Sequence, residues 1–298
     1  MPIGTPLISV VIATYNRASL LRETLDSVLT QTFRDFEIIV VDDGSTDETE
    51  ALVKSYGHIL RYIRQENRGP SAARNVGIQN ARANWISIQD SDDICSENHL
   101  ENLYGIVKKR NDLGMVFANG GYVGGPKAKT IIPLEKSKRL AHDGVKLVDL
   151  FDVSIVRLQA TLLSRQVLLA IGGLDETLRI AMDLDLAFRV FMRFPIAYVD
   201  KVVFFYRRHQ GSIGGNEELR QLENLKVIDK LVQEFPEATK ILGRQHINRR
   251  KAHRLYRLAK WCWKTGERDR ALDAIKQAII LRPFFLKYRL YQSLGTIL

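Results

Sequence analysis

LISVVIAT (residues 7–14) is an unbroken apolar run rich in β-branched residues, and EIIVVDD (37–43), LRYIRQ (60–65) and WISIQD (85–90) follow it. A short run as apolar as LISVVIAT suits a strand covered on both faces, and the other three resemble it. Helix-spaced stretches lie between them. Leu20, Leu21, Leu25, Val28 and Leu29 form one stripe, and SAARNVGIQNA (71–81) follows the turn-like Gly69-Pro70. This alternation predicts βαβ units and a mostly parallel sheet with helices on both faces, an αβα sandwich. Beyond residue 105 the pattern is less regular. MVFAN (115–119) reads as a strand and GGYVGGPKAK (120–129) as a mobile Gly-rich loop without dinucleotide-fingerprint spacing. A helix is expected near 144–152, a strand near 156–163, a helix over 183–194 and an extended segment over 197–209.

After Gly211–Gly215 the pattern is helical throughout, which divides the chain into residues 1–215 and a helical extension, 216–298. Within the extension, residues 254–283 read as two short amphipathic helices around a Gly turn, resembling a single tetratricopeptide-type unit. Such a unit cannot bury its own apolar faces and needs cover. Charge divides at the same place. Lys+Arg against Asp+Glu is 18 to 9 over residues 216–298 and 26 to 25 before them. A localised basic excess, interleaved with Leu, Tyr and Trp, points to an anionic surface such as a membrane. No nucleic-acid module is recognisable, so nucleic acid is not an expected partner. No apolar run reaches the roughly 20 residues of a membrane span, and the N-terminus does not read as a signal peptide. The expected location is the cytoplasm, peripheral on the inner face of a membrane. Cys95 and Cys262 are too far apart in sequence to suggest a disulfide framework or a metal cluster.

Ligands of open parallel sheets bind outside the carboxyl ends of the strands. Polar clusters fall there: Ala13-Thr14-Tyr15-Asn16, Asp42-Asp43-Gly44-Ser45 and Asp90-Ser91-Asp92-Asp93. Converging carboxylates repel unless a cation or donors relieve them. Side chains two apart on an extended segment point the same way, so Asp90 and Asp92 can face one ligand. A hard divalent ion, Mn²⁺ or Mg²⁺, suits such carboxylates together with phosphate oxygens.

These stretches, with NRGPSAARNVGIQNA between them and IGGLDETLRIAMDLDLAFRV (171–190) and FFYRRHQGSI (204–213) after them, resemble the inverting family-2 glycosyltransferases of GT-A fold. The resemblance implies a nucleotide-diphospho-sugar donor, with a UDP-sugar favoured. It also implies a saccharide or lipid-linked acceptor and a place in cell-surface polysaccharide or glycoconjugate synthesis. Thr14 and Tyr15, with Asn16 in the same loop, would pack against the base, and Asp43 would accept from an N–H on its edge. Arg74 would lie near the nucleotide or diphosphate and Asp90 would contact the ribose. Asp92 would hold the metal, with Asp93 as orienter or second ligand and His209 reaching the metal or diphosphate. The family's base comes from a Glu-Asp pair after a Gly-Gly-(Phe/Leu)-Asp-Glu turn. Here the turn is Gly172–Glu176 and the pair is Met182-Asp183, which leaves Asp183 as the expected base. Asp185 lies about 200° further round the helix, so one of the two acids faces the site. The loop 211–215 would close over the donor.

Two other readings remain open on the sequence. One is a nucleotidyltransferase of related architecture, although the loop after the first strand lacks the glycines it would need. The other is a catalytically silent scaffold that binds partners through its helical C-terminus.

Overall fold

The computed structural model describes residues 4–124, 129–209 and 215–297, with side chains described to residue 292. Two compact units are distinguished, Met1–Gln210 and Gly211–Leu298. The first holds strands β1 (Ile8–Thr14), β2 (Phe36–Asp42), β3 (Arg61–Arg64), β4 (Trp85–Asp90), β5 (Ile94–Cys95), β6 (Met115–Tyr122), β7 (Thr161–Ser164) and β8 (Ile196–Tyr206). Its helices are α1 (Ala18–Leu29), α2 (Thr49–Ser55), α3 (Pro70–Asn80), α4 (His99–Val107), α5 (Leu134–Asp143), α6 (Leu147–Asp152), α7 (Arg165–Ala170) and α8 (Met182–Phe191). The sheet order is β3-β2-β1-β4-β7-β6-β8-β5. Strands β1 to β4 run parallel, and β7 runs against both β4 and β6.

Strand β1 lies between β2 and β4, and Ile8, Val10, Val11 and Ile12 are all at most 1% exposed. Covering such a strand from both faces explains its continuous apolar sequence. Ile8, Val10 and Ile12 pack with Leu21, Leu25 and Val28 of α1 and with Leu100 and Leu103 of α4. Fully burying one such leucine contributes about 2 kcal/mol. On the opposite face the α3 backbone at Gly77 lies against Val11. The register sets Ala13 beside Asp90 and Thr14 beside Asp42. The polar clusters therefore share one rim where the strand order reverses.

Several expectations need correction. The Gly-rich stretch is not a loop from its start, because β6 runs through Gly120 and Gly121 to Tyr122. A Cβ on Gly120 would stand 2.3 Å from the Phe204 ring, so glycine is what lets the strand pass under that ring. Here β6 and β8 pair irregularly. The partners of Ala118, Asn119 and Gly120 are Val199, Val202 and Phe204, so β8 carries extra residues in a bulge. The strand near 156–163 begins only at Thr161, after a 3-10 turn at Leu158–Ala160. A helix not expected from the sequence, α5, precedes α6.

The second unit contains α9 (Glu217–Glu234), α10 (Pro236–Leu242), α11 (Arg244–Lys264), α12 (Arg268–Leu281) and α13 (Leu286–Ile297). The pair expected over 254–283 is α11 and α12, with α11 reaching back to Arg244. Ala259 and Cys262 of α11 pack with Ala271, Ala274 and Ala278 of α12. The cover that such a pair requires comes from within the unit, from Tyr288 of α13 and Leu225 of α9. Among the described residues no helix is long and apolar enough to cross a membrane.

Candidate active site

The loop after β1 is locked to the loop after β2. Asn16 takes the left-handed conformation (φ 50°), which Asn tolerates better than most residues. Its N–H donates to Ser45 Oγ at 2.9 Å and its Oδ1 accepts from the Thr46 N–H at 2.7 Å. Asn16 thus joins the two loops. Tyr15 is 45% exposed at the rim, whereas Thr14 is buried, with an Oγ1 that has no partner among the described residues. Asp43 lies beside Thr14, its N–H donating to the Thr14 carbonyl at 2.9 Å. The Asp43 carboxylate accepts from Gln65 Nε2 (2.7 Å), the Arg68 N–H (2.9 Å) and the Gly69 N–H (2.8 Å). Asp42 accepts from the Ser45 N–H (2.8 Å) and Tyr62 Oη (2.6 Å), so it supports the turn.

At the end of β4, Asp90, Asp92 and Asp93 offer carboxylate oxygens that all lie within 4.8 Å of one another. Partners from distant elements surround them. Arg74 of α3 pairs with Asp90, and its Nη1 contacts Met182 Sδ at 2.8 Å. Gln159, on the 3-10 turn before β7, donates to Asp90 and, at 2.9 Å, to Asp93 Oδ2. Burial, and then the charge of Asp90, push the Asp93 carboxyl up to about 7, against the opposing effect of the Arg207 N–H and Gln159. The short strand β5 pairs with β8 through Ile94–Phe205 and Cys95–Phe204. That pairing carries the residues after β8 to the acids. The Arg207 N–H donates to Asp93 Oδ1 at 2.9 Å, and His209 Nε2 lies 2.9 Å from Asp92 Oδ2. Arg17 pairs with the same Asp92 oxygen. Burial, with the charges of Arg17 and Arg207, lowers the His209 pKa. Hard carboxylates with a neutral imidazole form a donor set that suits Mn²⁺ or Mg²⁺.

Asp183 stands in the first turn of α8. Its carboxylate is 3.6 Å from Arg157 Nη1, and its side chain is 18% exposed. Burial raises its pKa above the ordinary aspartate value, with Arg157 opposing, Asp90 adding and Arg74 opposing. Asp185 is buried in the other direction and accepts from Arg189 Nε at 2.8 Å. The two acids diverge as helical spacing requires, and Asp183 is the one within electrostatic reach of the β4 cluster. The Gly172–Glu176 turn is fixed to α3. Asn75 Nδ2 donates to the Leu174 carbonyl (2.9 Å), while its Oδ1 accepts from the Leu174 N–H (2.8 Å). Gly173 has φ 73°, and a Cβ there would stand 2.5 Å from Asn75 Oδ1.

The structure thus gathers Thr14, Asn16 and Asp43 at one end of the rim. Arg74, Asp90, Asp92, Asp93, His209 and Asp183 gather at the other. The closing loop expected at 211–215 lies, but for Gly215, outside the described residues. Sequence reasoning missed Arg17, Arg157, Gln159 and Arg207. Arg17 and Arg207 adjoin residues already singled out, whereas nothing in the irregular 110–170 segment marks Arg157 or Gln159.

Known proteins share this fold. A solved structure of Staphylococcus aureus TarS 1–349 in complex with UDP-GlcNAc matches with a TM-score of 0.65 at 20% identity, over 92% of this chain and 81% of that one. The mannosyltransferase PcManGT from Pyrobaculum calidifontis, in complex with GDP-Man and Mn²⁺, matches at 0.63 and 18% identity, over 99% and 85%. These likenesses show the GT-A fold. An uncharacterized glycosyltransferase of Rickettsia prowazekii is 33% identical over 223 residues, 74% of this chain and 70% of its own length. The family model described as Glycosyl transferase family 2 matches residues 9–168, more than half of the chain. The strand-end acids, the sheet that carries them and this match agree, and the chain belongs to glycosyl transferase family 2.

Proposed function

We propose that this glycosyltransferase moves a sugar from a nucleotide-diphosphate donor, a UDP-sugar by preference, to an acceptor hydroxyl with inversion at the anomeric carbon. The observation that carries the reading is the group of three carboxylates within 4.8 Å at the β4 rim, with the half-buried Asp183 in electrostatic reach. Binding of UDP-GlcNAc by TarS and of GDP-Man with Mn²⁺ by PcManGT supports the donor class and the metal. Thr14 and Tyr15 flank the base, Asn16 holds their loop, and Asp43 accepts from a base N–H through lone-pair capacity left beside its internal bonds. Asp90, held by Arg74 and Gln159, accepts from the ribose. Asp92 and Asp93, with His209, would hold Mn²⁺ or Mg²⁺, which when bound supplies Lewis-acid stabilisation of the departing diphosphate.

Asp183 takes the proton from the acceptor hydroxyl as its oxygen attacks the anomeric carbon from the face opposite the diphosphate. The bond from that carbon to the diphosphate oxygen breaks, and the electron pair leaves with the nucleotide. The raised pKa of Asp183 makes it a better proton acceptor than an exposed aspartate. Family membership favours this reaction over nucleotidyl transfer and over a silent scaffold.

The catalytic part is residues 1–215 and the extension is 216–298. We read the extension as a peripheral attachment to an anionic membrane that presents a lipid-linked saccharide. Phe284, Leu286 and Leu290 are exposed on it, beside Arg282, Lys287 and Arg289, which suits an interfacial surface. A nucleotide-sugar panel tests the chemistry. Mn²⁺-dependent release of UDP is expected, and failure of every nucleotide diphosphate to bind would refute it. Sedimentation with anionic vesicles at low salt tests the attachment; capture that is unchanged in a Phe284→Ser, Leu290→Ser variant would rule this surface out.

A further inference from the structure

Arg17 has a fixed base and a long arm. Its backbone precedes α1 and its carbonyl accepts from the Leu21 N–H at 2.9 Å. On one side Asn16 is clasped by Ser45 and Thr46, and on the other the Ala18 N–H donates to Asp47 Oδ2 at 3.1 Å. The guanidinium reaches across to Asp92 Oδ2, and its Nη1 lies 3.3 Å from His209 Nε2. His209 Nε2 is itself 2.9 Å from that carboxylate oxygen. Arginine and histidine thus converge on a single oxygen. The Arg17 and Asp92 side chains are 20% and 15% exposed, so solvent screens the pair less than it screens a surface ion pair.

A guanidinium is always cationic and has no lone pair to offer a metal. At Asp92 Oδ2 it therefore competes with a divalent ion both for the oxygen and by like-charge repulsion. A nucleotide diphosphate offers the same guanidinium another anion, with the geometry arginine prefers. Resting on the reading of Asp92 as a metal ligand, we infer that Arg17 is a displaceable counter-ion. It neutralises Asp92 when no donor is bound and releases the carboxylate to the metal as it turns to the diphosphate. Metal and nucleotide then bind cooperatively, because each removes what opposes the other, and the coupling is reciprocal.

The test measures each ligand alone on the full chain. Calorimetry or Mn²⁺ spin resonance gives metal affinity without nucleotide, and UDP affinity is taken in EDTA. Arg17→Gln is expected to bind Mn²⁺ alone about fivefold to tenfold more tightly and UDP alone about tenfold more weakly, the size expected for one partly buried charged contact. Arg17→Lys should move both in the same directions by less. A merely structural role would weaken both ligands together. Unchanged or weaker Mn²⁺ binding in Arg17→Gln overturns the inference. Asp92→Asn separates the two levels of the argument. If it binds Mn²⁺ as the wild type does, the assignment of Asp92 as metal ligand is itself wrong and the inference goes with it. If it loses Mn²⁺ while Arg17→Gln shows no gain, only the counter-ion role fails.

Discussion

The acids that end β2 and those that follow β4 sit on the same rim, yet they are satisfied in opposite ways. Asp42 and Asp43 accept from donors of their own neighbourhood, namely Ser45, Tyr62, Gln65, Arg68 and Gly69. Asp90, Asp92 and Asp93 are balanced by Arg17, Arg74, Gln159, Arg207 and His209, which arrive from separate elements. Burial and the charge of Asp90 nevertheless push the Asp93 carboxyl up to about 7. The first pair is built into the fold. The second group is held in a charge balance that a cationic ligand can improve. Acids of the same type, at equivalent strand ends, are thus satisfied by local donors in one place and by partners from distant elements in the other.

The largest effects should fall on catalysis at β4. Asp183→Asn should lower transfer by roughly 10² to 10⁴-fold, the usual range for loss of a general base. Asp92→Asn should abolish its metal-dependent part. Asp92→Asn should keep a melting temperature close to wild type and Asp183→Asn should melt no lower than wild type, measured beside a donor-turnover assay. At β2 the effect should reverse. Asp42→Ala removes acceptors from the Ser45 N–H and Tyr62 Oη and should lower stability by about 1–3 kcal/mol in denaturant titration, with turnover by the folded fraction largely kept. If Asp42→Ala melts normally while Asp92→Asn unfolds, the division between the two regions is wrong.

A third measurement sharpens the comparison through ligand linkage. Mn²⁺ at 100 times its dissociation constant should stabilise the wild type by about 2.7 kcal/mol and Asp92→Asn hardly at all. The smallest effect is in pH dependence. The folded-state pKa of Asp183 is raised, so the stability linked to its proton is fully present below the unfolded aspartate pKa and is lost as pH rises through the folded value. Asp183→Asn should therefore melt higher than wild type at pH 8, and the difference should close as pH falls below the unfolded aspartate pKa. In the wild type the acid limb of the rate profile should lie above the ordinary aspartate range.

Much of the N-terminal half could be read from the sequence, because there each mainly apolar run holds a strand and the polar clusters mark strand ends. Helical spacing alone also separates Asp183 from Asp185. What could not be read was the set of partners. Gln159 reaches the acids from a 3-10 turn in a segment without periodicity. Arg17 was visible as a cation next to the loop, but nothing local says that it spans to Asp92. The glycines of β6 looked like a loop because their reason for being small, the Phe204 ring, lies more than eighty positions away. Long-range pairing leaves little trace in a local pattern.

The bulge of β8 opposite Asn119 acts as a phase setter. From Phe204 onward the strand faces β5 in the frame that the bulge has chosen, and in a sheet a single-residue slip exchanges the two faces. Removing one residue from 200–201 would give Phe204 and Phe205 each other's face of the sheet, with every acid still in place. The arithmetic of a distant strand thus helps to set where the segment bearing Arg207 and His209 leaves the sheet to meet the acids.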